Sequence, residues 1–219
     1  MSNKLSLDLK KNNQNIDGKL SKLFRNELKN SFEDNILFDG DDSLFKNLIL
    51  EVKTYFEYGC GKSTEYMYNK SDASIFSVDT SKEWTEKTLN LSKNSNHNRL
   101  NVKWIDVGDV ADWGYPVSFE KKKNFVEYAN WFWDFGLKPD LVLIDGRFRI
   151  LCFLTSIKFA PIGTKIIFDD YTNRPFYHVA EEFLKIKDTC GRQALFEVDE
   201  QSKELIDESV ISEFKNIVG

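Results

Sequence analysis

Beyond residue 41 the chain alternates between two hydrophobic periods. Short apolar runs cover 53–58, 74–78, 101–105, 140–144, 164–168 and 193–198, each with the length of a strand. Between them, 63–69, 81–92, 119–135, 149–159 and 176–188 carry apolar residues three and four positions apart, which predicts helices. In 119–135 that face is Phe125, Tyr128, Ala129 and Phe132. Asp42 or Ser43 is placed to cap a shorter helix running to Val52, with Leu44, Phe45, Leu48 and Ile49 on one face. Leu141-Val142-Leu143-Ile144 and, after its opening Lys165, the run 165–168 are apolar without alternation, as strands covered on both faces are. The pattern predicts an α/β fold, an open, doubly wound, mainly parallel sheet with right-handed crossovers. Residues 199–219 fit either a closing strand or a polar helix.

The first 41 residues read differently. They are rich in Lys and Asn, with weak helical spacing at Leu20, Leu23, Phe24 and Leu28, and are expected to form an N-terminal extension, partly helical or mobile. The α/β domain is then 42–219. With 219 residues, 41% hydrophobic and 14% aromatic, the chain has material for a sizeable core. A net charge of −5 and a pI near 5.3 argue against nucleic acid and membrane surfaces as partners. Cys60, Cys152 and Cys190 are too widely spaced for a zinc pattern and too few for a disulfide framework. No leader-like or membrane-spanning run is present, so the expectation is a cytoplasmic protein; the pattern leaves its oligomeric state open.

Each of the first five strands ends in an acidic or glycine-containing turn: Glu57-Tyr58-Gly59-Cys60-Gly61, Asp79, Asp106, Asp145-Gly146 and Asp169-Asp170. Ligands of open α/β sheets bind outside the carboxyl ends of the strands. Carboxylates gathered there repel one another, which a purely structural role does not require. The segment Gly61-Lys62-Ser63-Thr64 invites a phosphate-loop reading, but that motif needs a glycine at position 56, where Phe56 stands inside the strand. A dinucleotide fingerprint wants a third glycine near position 64, which is Thr64. What remains is two glycines one residue apart and an acid, Asp79, 20 residues after Gly59, where ribose hydroxyls are bound in such folds. The pattern favours a nucleoside without phosphates.

Glu57-x-Gly59-x-Gly61, followed by Asp79 and Asp106, resembles the S-adenosylmethionine site of class I methyltransferases over roughly residues 50–190. The resemblance implies a Rossmann-like methyltransferase fold and S-adenosylmethionine as cofactor. Glu57, Gly59 and Gly61 would border the methionine moiety, with Ser63 opening the next helix, Asp79 on the ribose and Asp106 at the adenine amino group. Asp145, Asp169 and Asp170 come from adjacent strand ends, and three oxygen ligands suit Mg²⁺ or another divalent cation. That trio is similar to the metal site of small O-methyltransferases. Those enzymes often place a lysine three residues beyond the first aspartate, whereas this chain has Phe148. The opposing reading has Asp169 or Asp170 capping the next turn.

His178 follows the Asp169-Asp170 turn and is either a general base, alongside Asp145, or a helix-face histidine bonded to backbone. Arg147, Arg149 and Arg174 either bind an anionic substrate group or neutralise the aspartates. Trp113 and Tyr115 could stack on a ring, although aromatics are more often core. The motifs Trp113-Gly114-Tyr115-Pro116, Leu143-Ile144-Asp145-Gly146-Arg147-Phe148-Arg149 and Asp169-Asp170-Tyr171 with Arg174 and His178 resemble bacterial methyltransferase-like proteins linked with surface polysaccharides and, distantly, glucuronoxylan O-methyltransferases. That implies methyl transfer to a hydroxyl of a small molecule or glycan, a sugar or nucleotide sugar, and the three arginines predict that this acceptor is anionic. The competing expectation is a non-catalytic module of the same fold that binds a nucleoside or a protein.

Overall fold

Strands β1 (Thr54–Tyr58), β2 (Ser74–Asp79), β3 (Leu100–Trp104), β4 (Leu141–Ile144), β5 (Lys165–Phe168), β6 (Asp188–Cys190) and β7 (Gln193–Glu197) form one sheet in the order β3-β2-β1-β4-β5-β7-β6. The computed structural model describes residues 37, 38, 40–93 and 98–218, so most of the expected extension, and His97, lie outside the described residues. Strands β1 to β5 are mutually parallel, while β7 runs antiparallel to β5 and β6 antiparallel to β7. The chain winds outward from β1 through β2 and β3, then crosses back to begin again at β4. The carboxyl ends of β1 and β4 therefore flank the point where winding reverses, which is where such sheets open a crevice.

Helices α1 (Ser43–Leu48), α2 (Lys62–Lys70), α3 (Lys82–Leu89), α4 (Lys123–Asn130), α5 (Arg149–Phe159), α6 (Glu200–Leu205) and α7 (Glu208–Phe214) flank the sheet. Alternate residues of β4 enter two separate core layers, because successive strand side chains point to opposite faces. Val142 and Ile144 join Phe125, Phe132 and Phe148, while Leu141 and Leu143 join Phe45, Tyr55 and Met67. Every side chain of β4 is fully buried, which explains its unbroken apolar run. Phe38 is buried edge-on against Phe45, their ring centres 5.4 Å apart, so packing reaches back to that residue. Among the described residues no helix is long and apolar enough to cross a membrane.

Two segments depart from expectation. The predicted helix 176–188 is a 3₁₀ stretch, Pro175–Glu182, followed by β6. Gly191 takes φ +56° between Cys190 and Gln193, which are paired across the strands, and a two-residue loop opening on a positive-φ glycine is a hairpin turn. The polar tail resolves into α6 and α7, each begun by an aspartate whose carboxylate accepts backbone N–H groups: Asp199 from Ser202, Asp207 from Ser209 and Val210.

Candidate cofactor and acceptor site

The two loop glycines do different work. Gly59 has φ +94°, and a Cβ on it would stand 2.7 Å from both Cα and N of Gly146. The ends of β1 and β4 thus meet backbone to backbone, and the Tyr128 hydroxyl closes the space beside Gly146. Gly61 has φ 179°, ordinary extended backbone, and a Cβ there would meet nothing within 4 Å. It leaves open space at the start of α2.

Glu57 lies beneath this loop, fully buried. Its carboxylate accepts hydrogen bonds from the hydroxyls of Ser63 and Thr64, and from Ser77 at 3.1 Å. Thr64 Oγ1 in turn accepts from the Gly61 N–H at 2.9 Å. Glu57 and Ser63 therefore fix the loop from below. Burial lifts the Glu57 carboxyl to about 7, with these three hydroxyls and that of Tyr55 opposing the rise.

Asp79 joins the end of β2 to the same loop. Its Oδ2 accepts from the Cys60 N–H at 2.9 Å and its Oδ1 from the Ser81 N–H at 2.6 Å. Burial raises its carboxyl to about 6, against the pull of these N–H groups and of Arg147. Asp106 sits further out, 40% exposed, paired with Lys121 at 2.6 Å and accepting from the Gly108 N–H, which together hold its carboxyl below the usual range.

Asp145, Asp169 and Asp170 do converge, with one oxygen of each within 4.8 Å of the others. The cation among them is Arg149. Its guanidinium has five N–H donors, and these reach the carbonyls of Gly146, Asp169 and Asp145, Asp145 Oδ1 at 3.1 Å and Asp170 Oδ2 at 3.1 Å. Arg192 holds Asp169 Oδ2 at 2.8 Å and Asp170 Oδ1 at 3.2 Å, and Arg174 holds Asp170 Oδ2 at 2.7 Å. Three carboxylates are thus matched by three guanidiniums. Mg²⁺ demands near-octahedral oxygens at about 2.0–2.1 Å, and these oxygens are already engaged in a charge-balanced cluster. The donor set does not fit the expected divalent cation. Phe148, where the metal-dependent enzymes often carry lysine, is buried and stacked on Phe125 with ring centres 4.3 Å apart.

Asp145 is the exposed member of the trio: its side chain is 27% exposed, against 5% for Asp170 and none for Asp169. It follows β4 directly beside Gly59, and desolvation together with the neighbouring Asp169 charge pushes its carboxyl well above the usual range. Arg147 is half-buried, and its Nε is buried without a hydrogen-bond partner among the described residues. Desolvation and the Arg149 charge lower its pKa from the usual guanidinium value. His178 is exposed, stacked on Tyr171, with Nε2 3.1 Å from the Tyr171 carbonyl. A carbonyl only accepts, so Nε2 carries the proton and only Nδ1 has a free lone pair. Trp113 is 86% exposed and Tyr115 44%. Sequence reading missed Arg192, whose neighbours are set by the hairpin, and the Ser77 and Thr64 hydroxyls beneath the loop.

No protein-family model matches the sequence, and no curated protein is similar to it. Among solved structures, a methyltransferase-like protein from Silicibacter pomeroyi is similar at 29% identity over 78% of this chain and 90% of that one, with a TM-score of 0.69. A Staphylococcus aureus protein assigned as a caffeoyl-CoA O-methyltransferase shares the fold at 13% identity over 83% and 98% of the two chains, TM-score 0.52. With a seven-stranded sheet in which, among the described residues, β7 alone runs against the other strands, and with these neighbours, the chain has the fold of the class I methyltransferases.

Proposed function

We propose that the chain is an S-adenosylmethionine-dependent O-methyltransferase acting on a hydroxyl of an anionic carbohydrate, such as a uronic acid or a nucleotide sugar. The observation that carries this reading is the open space at Gly61, set between the loop fastened to Asp79 and the neighbouring ends of β1 and β4. A backbone free of side chains lets a ligand approach closely, and Asp79 stands where ribose hydroxyls are bound in open α/β sheets. The likeness to the Silicibacter pomeroyi methyltransferase-like protein supports it. When bound, S-adenosylmethionine supplies an electrophilic methyl group on a sulfonium.

The chain's own residues supply alignment and a base. Glu57 holds the loop, and Asp79 locks its middle to β2. Asp145 takes the proton of the acceptor hydroxyl; desolvation and the Asp169 charge raise its pKa, so its carboxylate is a stronger base than an ordinary aspartate. Arg149 keeps that carboxylate aimed through Oδ1. Arg147, half-buried and two residues from Asp145, brings a guanidinium suited to the acid group of the acceptor.

Titration calorimetry with S-adenosylhomocysteine, S-adenosylmethionine and ATP tests the cofactor. Binding of the first two and not of ATP is expected; the reverse would refute the reading. Methyl transfer to a nucleotide-linked uronic acid in preference to its neutral hexose tests the acceptor, and equal rates on both would sink the anionic part.

A further inference from the structure

The loop between β3 and α4 carries a residue that gives nothing back to the fold. Trp113 has φ 61° and ψ 23°, a left-handed conformation in which a bulky side chain is strained, yet its indole is 86% exposed. Burial does not compensate that strain, since the ring packs on little.

The loop is nonetheless firmly built. Val110 and Pro116 form an antiparallel bridge. The Ala111 N–H donates to the Tyr115 carbonyl at 2.8 Å and the Val117 N–H to the Asp109 carbonyl at 2.9 Å. Thr80 Oγ1 donates to the Gly114 carbonyl at 2.8 Å, and a Cβ on Gly114 would stand 2.3 Å from that same Oγ1. Thr80 directly follows Asp79. The tip of the loop is therefore bolted to the end of β2, on the β2–β3 side of β1, and not to the Asp145–Arg149 cluster on the β4–β5 side.

We propose that the indole of Trp113 is the stacking surface for the purine base of the nucleoside whose ribose Asp79 holds. This rests on the function proposed above. A rigid loop that holds an aromatic ring in solvent at the cost of backbone strain has the properties of a preorganised stacking platform, and every nucleobase has a π-face to offer it. The acceptor's place beyond β1, next to Asp145, leaves the β2–β3 side to the base.

Substitution separates this role from a structural one. Asparagine tolerates left-handed backbone, so Trp113→Asn keeps the melting temperature at or above wild type. It weakens S-adenosylhomocysteine binding about five- to a hundred-fold, as loss of one base–aromatic stack does. Trp113→Phe retains affinity within a few-fold. Because the contact is with the base, adenosine loses the same factor. Calorimetry on the full chain reads all of these. Wild-type binding with unchanged affinity in a folded Trp113→Asn variant overturns the platform alone. So does a loss for S-adenosylhomocysteine that adenosine does not share. No binding by wild type overturns the cofactor reading and the platform with it.

Discussion

Exchanging alanine for each loop glycine in turn separates the closing of the fold from the holding of a ligand. At Gly59 the added methyl falls 2.7 Å from Gly146 Cα and N and 2.9 Å from the Asp145 carbonyl carbon, all of them backbone. It can be accommodated only by parting β1 from β4. Overpacking costs roughly 1–3 kcal/mol, and a side chain at φ +94° adds roughly 1–2 kcal/mol. Gly59→Ala should therefore lose about 2–5 kcal/mol. For a chain of 219 residues that lowers the melting temperature by about 4–20 °C. At Gly61 the same methyl meets nothing within 4 Å and the backbone is extended, so stability should change by less than about 1 kcal/mol. The methyl does occupy the space we assign to the cofactor, and Gly61→Ala should weaken S-adenosylhomocysteine binding by about 1–3 kcal/mol, or about 5- to 150-fold. Differential scanning fluorimetry and titration calorimetry on both variants give the answer. A Gly59→Ala protein as stable as wild type, or a Gly61→Ala protein that binds as tightly, would refute the division of labour.

Three further expectations follow from the cluster and from Glu57. Asp145→Asn should lower turnover about 10²–10⁴-fold with S-adenosylhomocysteine affinity kept, while His178→Ala, which removes an exposed ring stacked on Tyr171 and outside the aspartate–arginine cluster, should change turnover less than about three-fold; a reversed order would move the base to the free Nδ1 of His178. EDTA and added Mg²⁺ should leave the melting temperature and turnover unchanged. Arg149→Lys, which keeps the charge but has too few donors for the oxygens around it, should destabilise the chain by about 1–3 kcal/mol, and a metal-dependent melting point in wild type would contradict the guanidinium's place there. Glu57 titrates near 7 in the fold against 4.5 ordinarily. Its contribution to stability is therefore full below 4.5 and lost as pH climbs through 7, by up to about 3 kcal/mol; Glu57→Gln should flatten that part of the stability–pH curve, and denaturation in urea across pH 4.5 to 8 will show whether it does.

Periodicity carried the first five strands to within one or two residues, because their short runs end at turn residues, and β4, buried on both faces, is apolar throughout. The glycine loop and the strand-end acids could be read for the same reason: they sit at fixed offsets from those strands. Pairings set by tertiary structure were not visible. Arg192 reaches Asp169 only because β7 turns back beside β5, a partnership across 23 residues that no local spacing encodes. The 3₁₀ stretch Pro175–Glu182 carries helical spacing at Phe176, Tyr177 and Ala180, so period alone could not separate it from an α-helix. Glu57 was placed by position in a motif, but its downward orientation under Ser63 and Thr64 depends on strand pleat and helix entry together.

Arg149 has one more implication, for how the site comes into being. A guanidinium is charged at every pH a cell meets, and this one is part of the polypeptide. The ionic centre at the ends of β4 and β5 is therefore inherited with the sequence and needs no delivery, loading or exchange. It is assembled once the chain has folded, in whatever host translates it, and its composition cannot drift with the ions of the surroundings.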